Sequence, residues 1–549
     1  MPPLARNESA VRSTPPPPRT WRGWLPWVLL ILLWTVELFL VQAASSGDEF
    51  KVPEALLARK LLRFGLDLAF VTLCVLFLPR WMLVATFAAG VLVYVLGGVY
   101  FDHYGRLPRV TLLLDTGEGL AFGSLILDMV QPRMLALFCL LAVAKTGLLL
   151  AALRHGFPPS TRIGRRRVAT AALSVYLICL MIGQLVYDPF GQMRRWGSSA
   201  RFAVTYGFTL PVLVETYQTS SSSLLKRALE NGKRASDRLT PAEAGIPVRD
   251  RLVFLQVESL DWGLMGHMVN GQPVIPNLDR LRRASMVYRV EMPHRNGSAD
   301  ADFVSLMGKL PSPDLVTYKI ADYPYAGALP QRLRALGYKS TAVHGVSGHF
   351  FNRREGFEKM GFDRLVFAEE LLRAGVAARH DRYPWVQDAE MLEFAARDLA
   401  ASRGRVFQHV ITVTSHAPFA ELPQAERAQC PRWDDMASRY FCSMRYVDRH
   451  VGRYLDALPP DTTVLVYGDH NSTVSGPGYD SGRRGDRDFV PALIHDTSQD
   501  LSRLQRSGAA AIDGSLGFVD VVRYLFSQID RKRTTVPDAS ASSAETRRR

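Results

Sequence analysis

Five apolar stretches crowd the first 190 residues of the chain, at 24–44, 61–79, 81–100, 134–153 and 168–187. Each is about long enough to cross a bilayer core of roughly 30 Å. The mean hydropathy of +0.01 hides this asymmetry, because charged residues and prolines fill the remainder. Arg19 and Arg22 precede the first stretch and Arg80 separates the second from the third. Arg154, Arg162, Arg165, Arg166 and Arg167 fill the loop before the fifth. Basic residues stay on the cytoplasmic side, so the N-terminus is expected inside and everything after Asp188 on the outer face. No small-residue cleavage site follows the first stretch, which therefore reads as a retained anchor. Residues 109–130 are apolar but hold Asp115, Glu118 and three glycines. They are read as an outer-face amphipathic or re-entrant piece. The alternative, a sixth span, would put the second half of the chain in the cytoplasm. Glu37 and Asp67 fall inside spans, where an acid at a helix–helix contact and a functional acid are both open readings.

The net charge of +14 and the pI near 9.6 would suggest a nucleic-acid partner in a soluble protein. Here the excess sits in Arg clusters beside apolar spans, where topology and binding to anionic lipid account for it, and no nucleic-acid partner is expected. Of five cysteines, Cys74, Cys139 and Cys179 lie in apolar segments and read as small buried hydrophobes. Cys430 and Cys442 lie in the polar half, close enough in sequence to close a small loop, and no CxxC occurs. On an outer face, where disulfides persist, these two are expected to pair.

The layout that follows is a polar tail (1–23), a helical membrane domain (24–190), a linker (191–250) whose polar part carries a short helix, a folded domain (251–530) and a loose Arg- and Ser-rich tail (531–549). Within the folded domain, strand-like runs lie at 252–258, 340–345, 406–416, 462–470 and 489–495. Helix-like runs lie at 277–285, 328–337, 385–401 and 436–457. Apolar β-branched strands alternating with amphipathic helices predict an α/β fold with a mostly parallel, doubly wound sheet.

Glu258, His344, His416 and the pair Asp469–His470 fall at the C-terminal ends of four of those strands. In open α/β sheets that edge is where ligands bind. Two carboxylates, a histidine and a hydroxyl suit Mn²⁺, Mg²⁺ or Zn²⁺ and not a soft thiolate metal. Singly, each residue reads more easily as a surface or capping group; together they read as a site. Ser298, in HRNGSADADF, precedes a run with helical spacing. It is either a plain helix N-cap or a nucleophile at a helix start, where phosphate binds readily, and spacing alone leaves both open.

The runs VFLQVESLDWGLMGHMVNGQPVIPNLDRL, NGSADADF, HGVSGHFFNRREGFEKMGFDRL, TVTSHAPF and VYGDH occur in that order over roughly 250–495. They resemble the extracytoplasmic domain of lipoteichoic acid synthases, five-span phosphoglycerol transferases of the alkaline phosphatase/sulfatase superfamily. The resemblance implies an alkaline phosphatase-like fold on a bacterial inner membrane. It makes Glu258, Ser298, Asp469 and His470 the ligands of one divalent cation, manganese preferred and magnesium or zinc possible, with Ser298 also the nucleophile. His344, Arg353 and His416 would contact the phosphoglycerol group, and Phe351 stands where the family has Trp, keeping an apolar wall without the indole N–H. Ser298 stands where the family usually has Thr. The implied reaction moves glycerophosphate from a phospholipid such as phosphatidylglycerol to a cell-envelope polymer or glycan acceptor through a phospho-Ser intermediate. A phosphoethanolamine transferase or phosphodiesterase of the same superfamily is the alternative, although DHNSTVSGPGYDSGRR fits poorly with the Gly-Glu-rich, His-containing run usual there. SADAD excludes an arylsulfatase. A non-catalytic membrane sensor would be expected to lack a ligand, and all four are present.

Overall fold

A computed structural model describes residues 24–45, 57–104, 130–154, 162–188, 221–234, 239, 245–376, 385–472, 474, 478–484, 487–504 and 516–535. The expected tail at 1–23 and almost all of the stretch 109–130 lie outside them. Among the described residues, the N-terminal region contains five helices: α1 (Leu25–Ser45), α2 (Leu57–Phe77), α3 (Arg80–Tyr104), α4 (Pro132–Arg154) and α5 (Arg162–Tyr187). Among the described residues, three segments, Arg80–Val99, Pro132–Arg154 and Ile163–Tyr187, are long and apolar enough to cross a membrane by length and composition. The apolar part of α1, Leu25–Val41, is shorter, and α2 carries Arg59, Lys60, Arg63 and Asp67.

Charges inside this bundle are paired. Glu37 on α1 and Lys145 on α4 form a buried ion pair, and the Lys145 ammonium also lies 4.9 Å from the ring centroid of Phe87. On α2, Arg63 and Asp67 are both buried and 3.8 Å apart, and Arg63 Nη2 donates to the Phe39 carbonyl at 3.1 Å. Both acids noted in the sequence thus face helix–helix contacts, where a charge is tolerable only beside its partner.

The second half is an α/β/α sandwich. Its strands are β1 (Arg251–Val257), β2 (Met268–Val269), β3 (Gln272–Pro273), β4 (Met286–Met292), β5 (Lys339–His344), β6 (Arg364–Val366), β7 (Val406–Ile411), β8 (Thr462–Gly468), β9 (Asp488–Asp496) and β10 (Leu516–Gly517). Its principal helices are α6 (Ser221–Gly232), α7 (Pro276–Arg282), α8 (Ala299–Met307), α9 (Leu329–Arg334), α10 (Arg353–Met360), α11 (Asp388–Ala401), α12 (Met436–Asp456) and α13 (Phe518–Thr535).

The large sheet runs β10-β4-β9-β8-β1-β7-β5-β6, and β2 and β3 form a separate hairpin. It is mixed. β9 runs against both of its neighbours, while the other pairings are parallel. Alternation shows why the strands read as continuous apolar runs. Leu252 and Phe254 of β1, with Leu465 and Tyr467 of β8, pack on one face with α8, α9, α10 and α13. Val253, Leu255 and Val257, with Val464 and Val466, pack on the other with α7, α11 and α12. A sheet covered on both faces has no polar side to show in its sequence.

Three features depart from the sequence reading. β4 was not anticipated, although Met286, Tyr288, Val290 and Met292 turn inward in a period of two while Arg289 faces out. The tail does not begin at 531: α13 continues to Thr535, held where Lys532 Nζ donates to the Val248 carbonyl at 2.8 Å and Asp250 at 2.9 Å. α6 is packed against the folded domain, with Ala228 in its core, Arg227 paired to Asp314 at 2.6 Å, and Asn231 Nδ2 donating to the Pro311 carbonyl at 2.7 Å. Cys430 and Cys442 are bonded to each other, S–S 2.11 Å, clipping the segment before α12 to its second turn.

Candidate active site

Because β1, β4, β5, β7 and β8 point the same way, the residues that follow them converge on one edge. Glu258 follows β1, His344 ends β5, Ser415 and His416 follow β7, and Asp469–His470 follow β8. Ligating atoms of Glu258, Asp469 and His470 lie within 4.8 Å of one another, and all three side chains are buried. His470 Nε2 is 2.9 Å from Glu258 Oε1 and 3.6 Å from Asp469 Oδ2.

Ser298 immediately precedes α8, yet its side chain makes no capping bond. Its Oγ donates instead to Glu258 Oε2 at 3.1 Å. The plain N-cap reading therefore fails, and the hydroxyl belongs to the carboxylate–histidine cluster. Gly297, at φ +93°, permits this. A Cβ there would lie 2.4 Å from Cζ of Phe351, so only glycine lets the aromatic wall approach the backbone beside Ser298.

Electrostatics bear on what the cluster can hold. Burial alone would lower the His470 imidazole, but the Asp469 and Glu258 carboxylates raise it to about 10. Burial works to raise Glu258, and the His470 cation outweighs it, holding that carboxyl well below its usual range. Burial and the charge of Glu258 push Asp469 well above its own. Asp469 Oδ1 accepts the Ser259 N–H at 2.8 Å, whereas its buried Oδ2 has no hydrogen-bond donor. Two buried carboxylates, an imidazole and a hydroxyl around an unsatisfied carboxylate oxygen fit a divalent cation.

Around this centre, Arg353 at the start of α10 is buried, and its Nε donates to Asp302 Oδ2 at 2.7 Å. Its guanidinium lies 5.1 Å from the Phe351 ring centroid. Phe351 itself has φ 58° and stacks on Phe350 at 4.1 Å. His344 Nδ1 is 2.9 Å from the Ile411 carbonyl, and burial, reinforced by the Arg353 charge, lowers its pKa to about 3, so it stays neutral. His416 is half-buried, with Nδ1 2.7 Å from the Ala417 carbonyl.

Sequence reasoning passed over several supports of the site. Asp302 lies four residues after Ser298, one helical turn on, a spacing legible in SADAD. Asp388 accepts the Val413 and Thr414 N–H groups, both at 2.8 Å, and so shapes the loop bearing His416. Ser415 Oγ donates to the Glu258 carbonyl at 2.6 Å. His294 and Asp488, 2.8 Å apart beside His470, gave no local signal at all.

Residues 250–509 match the family model described as Sulfatase. That half of the chain is a sulfatase-like α/β domain. The chain is 25% identical over 337 residues to a lipoteichoic acid synthase of Staphylococcus saprophyticus, a match covering 57% of this chain and 50% of that one. It is likewise 25% identical over 286 residues to a lipoteichoic acid synthase of Staphylococcus aureus, covering 48% and 43%. The chain thus spans about half the length of these curated relatives. In three dimensions it is similar to the integral membrane lipooligosaccharide phosphoethanolamine transferase A of Neisseria meningitidis. There the TM-score is 0.55 at 14% identity, over 92% of this chain and 95% of that one, a likeness of fold alone.

Proposed function

We propose that the protein is a phosphoglycerol transferase whose five N-terminal helices cross the inner membrane of a bacterium and whose catalytic domain faces outward. The observation that carries this is the placement of Ser298 Oγ, 3.1 Å from Glu258 within the Glu258–Asp469–His470 cluster and beside the buried cation Arg353. An outward-facing domain also accords with the Cys430–Cys442 disulfide. Glu258, Ser298, Asp469 and His470 would hold one divalent cation. When bound, it supplies Lewis-acid polarisation of a phosphoryl oxygen and a lowered serine pKa.

This chain's residues carry the rest. Ser298 Oγ forms a bond to the lipid phosphorus while the bond from phosphorus to the diacylglycerol oxygen breaks. Glu258 Oε2, already hydrogen-bonded to that hydroxyl, orients Oγ, and the serine proton leaves to water before attack. The Nη edge of Arg353 can grip two phosphoryl oxygens while Nε stays on Asp302. His416, with Nδ1 turned to the Ala417 carbonyl, would exchange its proton at Nε2. It protonates the leaving diacylglycerol alkoxide and then deprotonates the acceptor hydroxyl that attacks phospho-Ser298. Neutral His344 offers a hydrogen-bond acceptor to a head-group hydroxyl. The Lys319 ammonium lies 6.0 Å from the Phe351 ring centroid, a neighbour that favours an uncharged glycerol head group over a cationic ethanolamine.

The test is mass analysis of the purified full-length protein after incubation with defined phospholipids. Phosphatidylglycerol should leave a phosphoglycerol-sized increment on the peptide holding Ser298 and release diacylglycerol. A phosphoethanolamine increment from phosphatidylethanolamine, with none from phosphatidylglycerol, would replace this reading by the phosphoethanolamine one.

A further inference from the structure

The imidazole of His294 lies flat against that of His470, with ring centroids 4.2 Å apart and planes inclined by 10°. His294 Nδ1 is 2.8 Å from Asp488 Oδ2, and Asp488 Oδ1 is 3.5 Å from Arg483 Nε. The side chains of His294, Asp488 and His470 are at most 2% exposed. His294 follows β4, and Asp488 opens β9. These two residues meet at the catalytic edge because β9 runs antiparallel and so begins where its neighbours end.

A histidine ring is soft about its last torsion, where the energy wells are broad. One edge of His470 is fixed by the contact of Nδ1 with the Asn471 carbonyl at 2.9 Å. Nε2, 2.9 Å from Glu258 Oε1, holds the other edge, and in-plane contacts at the two nitrogens still let the ring tilt about the line joining them. A flat aromatic neighbour blocks the tilt, provided the neighbour is itself held, and Asp488 holds it. The simpler alternative is that His294–Asp488 only joins β4 to β9. Those strands are already paired along their length, from Met286–Ile494 to Met292–Asp488, so the side-chain pair is not needed for that.

We infer that His294, clamped by Asp488, is a positioning residue that sets the ring plane of His470 toward the divalent cation. This rests on Glu258, Ser298, Asp469 and His470 being a cation site. Outer partners of metal-binding histidines typically account for about 10–100-fold in metal affinity, and loss of a stacked, tethered ring belongs in that range.

The experiment titrates Mn²⁺ into metal-stripped, detergent-solubilised full-length protein, reading free Mn²⁺ by electron paramagnetic resonance, with far-UV circular dichroism of each metal-free variant. His294→Ala and His294→Gln should raise the Mn²⁺ Kd about 10–100-fold. His294→Phe, which keeps a flat ring, should raise it less than either. His294→Gln retains a donor for Asp488 in a similar volume and carries the test if His294→Ala does not fold. Wild-type Mn²⁺ binding with unchanged affinity in the folded Ala or Gln variant overturns the role of His294 alone. Failure of the wild type to bind Mn²⁺, Mg²⁺ or Zn²⁺ overturns the cation site and this inference with it.

Discussion

Arg353 donates through Nε to Asp302 Oδ2 at 2.7 Å, and Asp302 stands one turn beyond Ser298 on α8. One helix therefore sets both Ser298 and the orientation of the buried guanidinium. Arg353→Lys keeps the charge but loses the planar fork, so both the Asp302 bond and a two-oxygen phosphate grip cannot be held together. Single-turnover transfer should fall about a hundredfold, as for loss of charged hydrogen bonds worth about 2–3 kcal/mol. Asp302→Asn should lower activity and also destabilise the fold, because Arg353 would remain buried without its counter-charge. Wild-type turnover in Arg353→Lys would show the fork to be structural only.

Ser298 should be indispensable to turnover and not to folding, because its side chain caps nothing and its hydroxyl points into the cluster. Ser298→Ala is expected to lose about a thousandfold or more in turnover, roughly 4 kcal/mol of barrier, with an unchanged thermal midpoint. Ser298→Thr should retain measurable transfer, since it keeps the hydroxyl. Near-full turnover in the Ala variant would end the phospho-Ser mechanism.

His409, buried in β7 with Nε2 3.2 Å from the Tyr467 hydroxyl, is lowered to about 3 by burial and, secondarily, by the Arg353 charge. In the unfolded chain it protonates near 6.5. Between those values the unfolded state holds the extra proton, so stability is full above about 6.5 and falls as the pH drops toward 3. Urea titrations at about pH 7.5 and about pH 5 should show His409→Gln losing less stability than wild type, by about 2 kcal/mol. Equal losses would mean that His409 takes up its proton within the fold.

Glu37 and Lys145 should be coupled across the bundle. Lys145→Met alone leaves a buried carboxylate without its counter-charge and should destabilise by about 3–5 kcal/mol. Glu37→Gln together with Lys145→Met removes both charges and should recover much of that loss. A double-mutant cycle on thermal unfolding in detergent measures the difference, and simple additivity would show that the two side chains do not meet.

The N-terminal helices and the strand ends bearing Glu258, His344 and Asp469–His470 were legible in the sequence because each depends on local pattern. A long apolar run makes a span, and an apolar run with a polar end makes a buried strand that presents a side chain at the sheet edge. Direction of pairing is different, since it is set by hydrogen bonds between residues far apart in the chain. FVPALIH reads as a buried strand whichever way it runs, and only the fold shows β9 entering between β4 and β8 in the opposite sense. That reversal carries Asp488 to His294 across 194 residues, as bundle packing carries Lys145 to Glu37 across 108. Likewise, whether Ser298 caps α8 or faces Glu258 could not be read from spacing. The choice rests on one torsion and on a carboxylate that the sheet places 40 residues away.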